Sequence, residues 1–262
     1  MDLGIRGQVA LVAAASKGLG KSAAMALAQE GVRLAICARS DALQATAEEI
    51  RSQTGAEVLA VQADLTDRQQ VEALVKQTLD HFGQIDILIL NNGGPRPGGF
   101  LDLTIEDWEA AIRTTLMSSL YLCYAVVPHL LERGSGCIIA SQSYSVKQPI
   151  PRLIASNSLR LAVIGLMKTL ANELGPKGIR VNSINPSWIW TDRVEQIMSD
   201  RAKANQTSVE GEAAKVISEL PLGRMGTVEE YGKAIAWLAS PAAGFVHGHA
   251  LMLDGGAVAA PL

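Results

Sequence analysis

The chain has 262 residues, 48% of them hydrophobic and 19% charged, with 23 Lys and Arg against 26 Asp and Glu for a net charge of −3. That length suits one large α/β domain or two small ones, and the apolar fraction excludes a disordered chain. No Lys/Arg cluster stands out of the slightly acidic balance, so a nucleic-acid platform is excluded as well.

The first residues, MDLGIRGQVALVAAAS, lack a cationic start followed by a long apolar core and do not read as a signal peptide. No uninterrupted apolar run approaches the roughly 18 residues of a membrane span. The nearest, 161–170, is broken by Lys168. Cys37, Cys123 and Cys137 are odd in number and lack metal-ligand spacing. They read as buried small hydrophobes in a reducing compartment, and the expected location is the cytoplasm.

Strand candidates fall at 9–14, 33–38, 57–63, 85–90, 136–141, 180–185 and 250–253. Each is short, apolar and bounded by Gly, Asp or Asn, the pattern of a strand buried on both faces. Helical periodicity fills 20–30, 43–53, 68–82, 105–132, 152–174 and 228–239. Gly31, Gly55 and Gly83 follow the first three helices, and Thr104 with Asp107 makes a capping box before the fourth. Repeated strand–helix–strand units imply an α/β fold, a doubly wound seven-stranded parallel sheet with helices on both faces, in a single domain over 1–262. Residues 192–226 are polar and poor in strand signal. Such an excursion before the last helix reads as a lid or substrate loop.

In such a sheet, ligands bind beyond the carboxyl ends of the strands, where the strand order reverses. The loop after the first strand runs Ala13-Ala14-Ala15-Ser16-Lys17-Gly18-Leu19-Gly20. Its glycines let the N–H groups of a helix N-terminus approach a pyrophosphate, with Ala14, Ser16, Lys17 and Leu19 as neighbouring contacts. The second strand ends in Cys37-Ala38-Arg39-Ser40, with Arg39 19 residues after Gly20. A dinucleotide fold places there an acid for a ribose 2′-OH or an Arg for a 2′-phosphate. Arg39 and Lys17, with Ser40 beside them, suit a phosphate clamp, so NADP(H) is expected over NAD(H).

Further segments stand at the ends of later strands: Asp64-Leu65, Asn91-Asn92-Gly93-Gly94 and Pro186-Ser187-Trp188-Ile189-Trp190-Thr191. Pro221-Leu222-Gly223-Arg224 and Asp254-Gly255-Gly256 follow near the C-terminus. With these the chain resembles the short-chain dehydrogenase/reductase family from end to end. The resemblance implies a Rossmann-type fold, an adenine contact at Asp64 and Leu65, and cofactor contacts at Asn92, Gly93 and Gly94. It implies a nicotinamide carboxamide held by Pro186, Ile189 and Thr191. It also implies a homotetramer, or a homodimer, through the long helices 105–132 and 152–174. Trp188 and Trp190 would line the pocket of a small-molecule substrate that is apolar near its carbonyl.

The sequence also departs from that family. The family's first loop reads Thr-Gly-x-x-x-Gly-x-Gly, and Ala13 and Ala14 replace the Thr and the first Gly. If that backbone position needs a positive φ, Ala costs about 1 kcal/mol relative to Gly. Family catalysis uses a Ser to hold the substrate carbonyl, a Tyr as general acid/base, and a Lys four residues later that lowers the Tyr pKa and holds the ribose. A phenol with a pKa of about 10 needs that adjacent cation to work near neutrality. Ser143 aligns with the Ser. Aligning Ala155-Ser156 with the family's Ala-Ser places Leu153 at the Tyr and Asn157 at the Lys, and Thr115 stands where an active-site Asn is common.

Candidate substitutes are Tyr144, Lys147, Asn157 and Arg160. On a helix begun at Pro151, positions 153, 157 and 160 share a face, so Asn157 and Arg160 are expected to look toward the cofactor. The enoyl-acyl-carrier reductases of the superfamily also space their Tyr and Lys by seven and carry a second Tyr after the Ser position, as Tyr144 stands here. Each residue has a plain structural alternative: a satisfied strand end for Ser143, a core aromatic for Tyr144, a solvated loop charge for Lys147, an ion pair for Arg160. Two readings result. One is an NADP(H)-dependent oxidoreductase reducing a carbonyl, of the 3-oxoacyl type or another ketone, through non-standard residues. The other is a dinucleotide-binding protein without reductase activity, a sensor or a non-redox lyase or isomerase.

Overall fold

A computed structural model describes residues 2–260, so positions 1, 261 and 262 of the expected domain lie outside the described residues. Seven runs rich in Val, Ile, Leu and Ala form the strands: β1 (Val9–Val12), β2 (Arg33–Ala38), β3 (Val58–Gln62), β4 (Ile87–Leu90), β5 (Gly136–Ser141), β6 (Ile179–Pro186) and β7 (Ala250–Leu253). Every residue of β1 and β4 is buried, as a central strand covered on both faces requires. All neighbours pair in parallel, in the order β3-β2-β1-β4-β5-β6-β7, so the winding reverses between β1 and β4.

The helices are α1 (Gly18–Gln29), α2 (Ala42–Thr54), α3 (Arg68–Phe82), α4 (Ile105–Ile112), α5 (Ser118–Arg133), α6 (Ile154–Leu174), α7 (Asp192–Asn205), α8 (Val209–Ser218) and α9 (Val228–Ala239). Alternation along the strands divides the core in two. Ala10 and Val12 of β1 pack with Leu27 of α1, Leu43 of α2 and Ile235 of α9. Val9 and Leu11 face the other way, toward Leu74 of α3, Val126 of α5 and Val163 of α6. Burying one such Leu or Val side chain is worth roughly 1.5–3 kcal/mol. Helices α2 and α3 end on left-handed Gly55 and Gly83. Helix α1 is closed by Glu30, with Gly31 (φ 80°) one residue beyond. The expected capping box of Thr104 and Asp107 opens α4.

Two elements differ from what the sequence suggested. The continuous helical stretch Ile105–Arg133, 29 residues, holds an 18-residue window of mean hydropathy 1.3, long and apolar enough for a membrane span. Of that window 39% is buried: Leu122, Cys123, Val126 and Leu130 pack against the sheet, while Tyr124 and Leu131 are exposed. A π-turn, Arg113–Met117, interrupts the stretch between α4 and α5. The excursion 192–226 is not a loop but carries α7 and α8, capped by Thr191 and Ser208. Met198, Ala213, Val216, Leu220 and Met225 give it a small core of its own. Its apolar residues are interspersed with charged and polar ones, which hid the helices. Cys37, Cys123 and Cys137 are free and buried, and burial pushes their thiols up to about 12, 12 and 11.

Candidate active site

Beyond the carboxyl ends of the strands lies a cavity of about 1040 Å³. Its walls are the residues that follow the strands: Ala14 after β1, Ala38 ending β2, Ala63 after β3, Asn91 after β4, Ser141 ending β5 and Pro186 ending β6. This is where winding in both directions opens a crevice. Helix α7 adds Arg193, Gln196 and Ile197 to its rim, so the excursion does border the site.

Along one half, Ser16, Lys17, Gly18 and Leu19 line the cavity at the start of α1. Lys17 at the N-cap is extended, no side chain caps the helix, and no acid lies in its first turn. The free N–H groups of that turn therefore have no protein partner competing with an anion. Ala14 has φ +50°, the left-handed conformation that favours glycine. Gly20 does not line the cavity. A Cβ there would overlap the Ala14 carbonyl, so Gly20 lets α1 approach the strand end and contacts no ligand. Asn91 donates Nδ2–H to the same carbonyl at 3.3 Å.

Arg39 and Ser40 line the cavity beyond β2, and Asp64 and Leu65 beyond β3. The Arg39 guanidinium lies 3.8 Å from Asp64, and Lys17 lies 3.8 Å from Asp192; all but Asp64 are about three-quarters exposed at the side chain. Both cations are thus loosely held and available to a phosphate. Asp64 accepts from the backbone N–H and the hydroxyl of Thr66 at 2.9 and 2.8 Å, which fixes its carboxylate. Asn92, Gly93 and Gly94 line the centre, and Pro186, Ile189 and Thr191 the far side. Asn92 donates Nδ2–H to the Thr115 carbonyl at 3.3 Å, at the π-turn, while its Oδ1 and the Thr115 hydroxyl are buried without partners. The residues present fit an NADP-type dinucleotide: an uncapped helix N-terminus for pyrophosphate, cations beyond β2, and orphaned buried polar atoms midway.

In the other half, helix α6 begins at Ile154, and Leu153 is its N-cap with φ −127° and ψ 41°. Leu153, Ser156 and Arg160 line the cavity, and Asn157 does not. Asn157 turns to the preceding loop instead. Its Nδ2–H donates to the Ile150 carbonyl at 2.9 Å and its Oδ1 accepts from the Ile150 N–H at 3.2 Å. Arg160 donates Nε–H to Ser156 Oγ at 3.0 Å and Nη1–H to Gln142 Oε1 at 3.4 Å. Burial holds its guanidinium down to about 10, near the buried Tyr231 of α9.

Ser143 stands beyond β5 in the cavity wall, extended, and accepts from the Ser145 N–H at 3.2 Å. Tyr144 lines the cavity too, facing the Trp188 indole. Burial raises its phenol pKa, the opposite of what a general acid at neutral pH needs. Lys147 is exposed and outside the cavity wall, so it is not the cation that would correct this. Trp188 lines the cavity, its ring under the Arg201 guanidinium at 5.1 Å. Trp190, 43% exposed, does not. Sequence reasoning missed Gln142 and Ser156. The signal for Ser156 was its spacing of four from Arg160, which was legible in the sequence.

The family model described as enoyl-(acyl carrier protein) reductase matches residues 13–258. The chain is 36% identical over 255 residues to a 3-oxoacyl-[acyl-carrier-protein] reductase of Synechocystis sp., covering 96% of this chain and 97% of that protein. Its fold is similar to that of L-sorbose reductase from Gluconobacter frateurii, a structure complexed with NADPH and L-sorbose, with TM-score 0.95, 31% identity, and 99% and 100% of the two chains covered. It is also similar to a single-residue variant of actinorhodin polyketide ketoreductase with NADPH, with TM-score 0.92, 30% identity, and 96% and 97% covered.

Proposed function

The chain belongs to the short-chain dehydrogenase/reductase family, and within it we propose an NADP(H)-dependent oxidoreductase that reduces a carbonyl, of the 3-oxoacyl type or another ketone, with an atypical active site. The observation that carries this reading is a single cavity lined by the uncapped start of α1, by Arg39 and by Ser143. Related proteins named as 3-oxoacyl reductase and ketoreductase support the carbonyl, and neighbours that bind NADPH support the cofactor. Bound NADPH supplies hydride to a carbonyl carbon. Ser16, Gly18 and Leu19 hold its pyrophosphate, Arg39 with Lys17 and Ser40 its 2′-phosphate, and Asp64 and Leu65 its adenine. Asn92, Gly93 and Gly94 border its centre, with Pro186, Ile189 and Thr191 at the nicotinamide. Ser143 donates to the substrate oxygen, and Trp188, Tyr144 and Ile150 make the surroundings largely apolar.

The family resemblance implies a cytoplasmic homotetramer or homodimer through α5 and α6, where Tyr124 and Leu161 are 78% and 54% exposed, and Tyr124→Glu should shift the sedimentation of the protein to smaller species. The second reading, a dinucleotide-binding protein without reductase chemistry, is favoured by one observation: Leu153 lines the cavity where the family carries its Tyr, and the phenol that does line it, Tyr144, has its pKa raised by burial. Two measurements separate the readings. Calorimetric titration should show tight NADPH and weak NADH, and steady NADPH oxidation should follow addition of an activated ketone. Ser143→Ala should lower kcat by about 10²-fold or more while leaving NADPH binding intact. NADPH binding without oxidation of any ketone or enone would leave only the second reading.

A further inference from the structure

Two hydroxyls in the cavity share one arrangement. Ser143 Oγ accepts from the Ser145 N–H, and Ser156 Oγ accepts from Arg160 Nε–H. Among the described residues neither hydroxyl donates to a protein acceptor, so both O–H groups are left for a ligand. A hydroxyl that accepts a charge-assisted bond is also a stronger donor, because bonds in a chain polarise one another.

Arg160 brings a positive charge with no carboxylate partner among the described residues. Its remaining partner is the amide of Gln142, a residue only 4% exposed whose Nε2 has no acceptor of its own. The cluster therefore has donors in excess, one cation and no anion. An unpaired buried cation is costly, and a donor-rich pocket of that sign complements an oxyanion.

We propose that Ser143 and Ser156, with Arg160 bonded to Ser156, form an oxyanion hole for the substrate oxygen; this rests on the carbonyl-reductase reading above. As the carbonyl carbon gains hydride, the carbon–oxygen π pair moves onto oxygen. The two O–H donors and the guanidinium charge stabilise that oxygen until a solvent water protonates it to the alcohol and leaves as hydroxide, so both serines and the arginine finish as they began. Ser156 touches the reacting oxygen, whereas Arg160 is a positioning residue that acts through it. A site that holds charge without delivering a proton favours carbonyls whose oxyanion is already stabilised by a neighbouring electron-withdrawing group. The substrate class is thus a 1,2- or 1,3-dicarbonyl compound and not a simple ketone.

The test has a binding arm and a turnover arm. Benzoate, an aromatic carboxylate, is titrated by calorimetry into the purified protein without nucleotide, and NADPH-dependent reduction of 2,3-butanedione is followed separately. Ser156→Ala should weaken benzoate at least tenfold, leave the Kd for NADPH unchanged and lower kcat about 10²-fold. Arg160→Met should do likewise, and Arg160→Lys should recover most of the benzoate affinity. The hole is refuted if benzoate fails to bind the native protein, or if it binds the Ser156→Ala variant equally well. Equal butanedione turnover by the native protein and Ser156→Ala also refutes it while the reductase reading survives. Benzoate binding that depends on Ser156, in a protein that reduces a simple ketone but no dicarbonyl, refutes the substrate class; in a protein that reduces no ketone or enone, it removes the reductase reading and leaves only an anion site.

Discussion

The carbonyl of Ala14 rests against Gly20 so closely that no side chain fits at residue 20, and Ala14 itself is held at φ +50°. The left-handed conformation costs an L-residue about 1–2 kcal/mol, and Gly would relieve it. Against that, Gly would gain about 0.4–1 kcal/mol of conformational freedom in the unfolded chain. The strain is the larger effect. Ala14→Gly should therefore raise thermal stability by about 0.5–1 kcal/mol and tighten NADPH binding, because the methyl that lines the cavity is removed. Gly20→Ala should have the opposite sign, with a clearly lower Tm. A drop in Tm for Ala14→Gly would show that the strain argument has the wrong balance.

Arg39 lies 3.8 Å from Asp64 with its guanidinium largely in solvent, so it can exchange that weak contact for a 2′-phosphate. Charge-assisted hydrogen bonds are worth about 1.5–3 kcal/mol. Arg39→Ala should weaken NADPH by about 10- to 100-fold and leave NADH nearly unchanged, read by calorimetry on both cofactors. Equal losses for the two would move the selectivity away from Arg39.

The strands and the cofactor half of the site were legible because both depend on local pattern. A short apolar run buried on both faces is a strand, and the residues just beyond it are at the crevice whatever the helices do. The reacting half depends on where individual side chains find partners. Leu153 and Arg160 line the cavity, as their shared face implies, but Asn157 on the same face bonds the Ile150 backbone instead, and Ser156 joins the wall. Sequence spacing places a residue on a face and does not say whether a nearby loop carbonyl will capture its side chain. The π-turn at Thr115 and the outward Trp190 are equally silent, because tertiary packing decides both.

The pH dependence of the reaction follows from which groups titrate at the reacting end. Arg160 faces Tyr231 from α9, and burial drives that phenol far up, so it stays neutral. Tyr144 at the cavity wall is also raised. Arg160 is held down to about 10 and is charged at every lower pH. The rate of ketone reduction should be flat from about pH 6 to pH 9, because burial lowers Arg160 without bringing it into that range and the guanidinium keeps its charge. A rate limb near pH 7 in the native protein would require a titrating acid that this set does not contain.

Glu212 anchors the excursion that borders the site. Only 3% exposed, it accepts from Lys215 Nζ and the Thr207 hydroxyl, each at 2.6 Å, and from Asn205 Nδ2 at 3.2 Å. The Lys215 bond, then Thr207 and Asn205, hold its carboxyl down to about 2, below the ordinary value of 4.5. Because the folded pKa is the lower one, the charged carboxylate stabilises the folded state above about pH 4.5, and this contribution fades as pH falls toward about 2. Glu212→Gln should lower Tm at pH 7, and the gap to the native protein should narrow steadily below pH 4.5. Since α7 and α8 share this anchor and α7 supplies Arg193, Gln196 and Ile197 to the cavity rim, the same variant should raise KM for a ketone more than it lowers kcat. A gap in Tm that is constant from pH 7 to pH 3 would mean that Glu212 stabilises the excursion by packing and not by its charge.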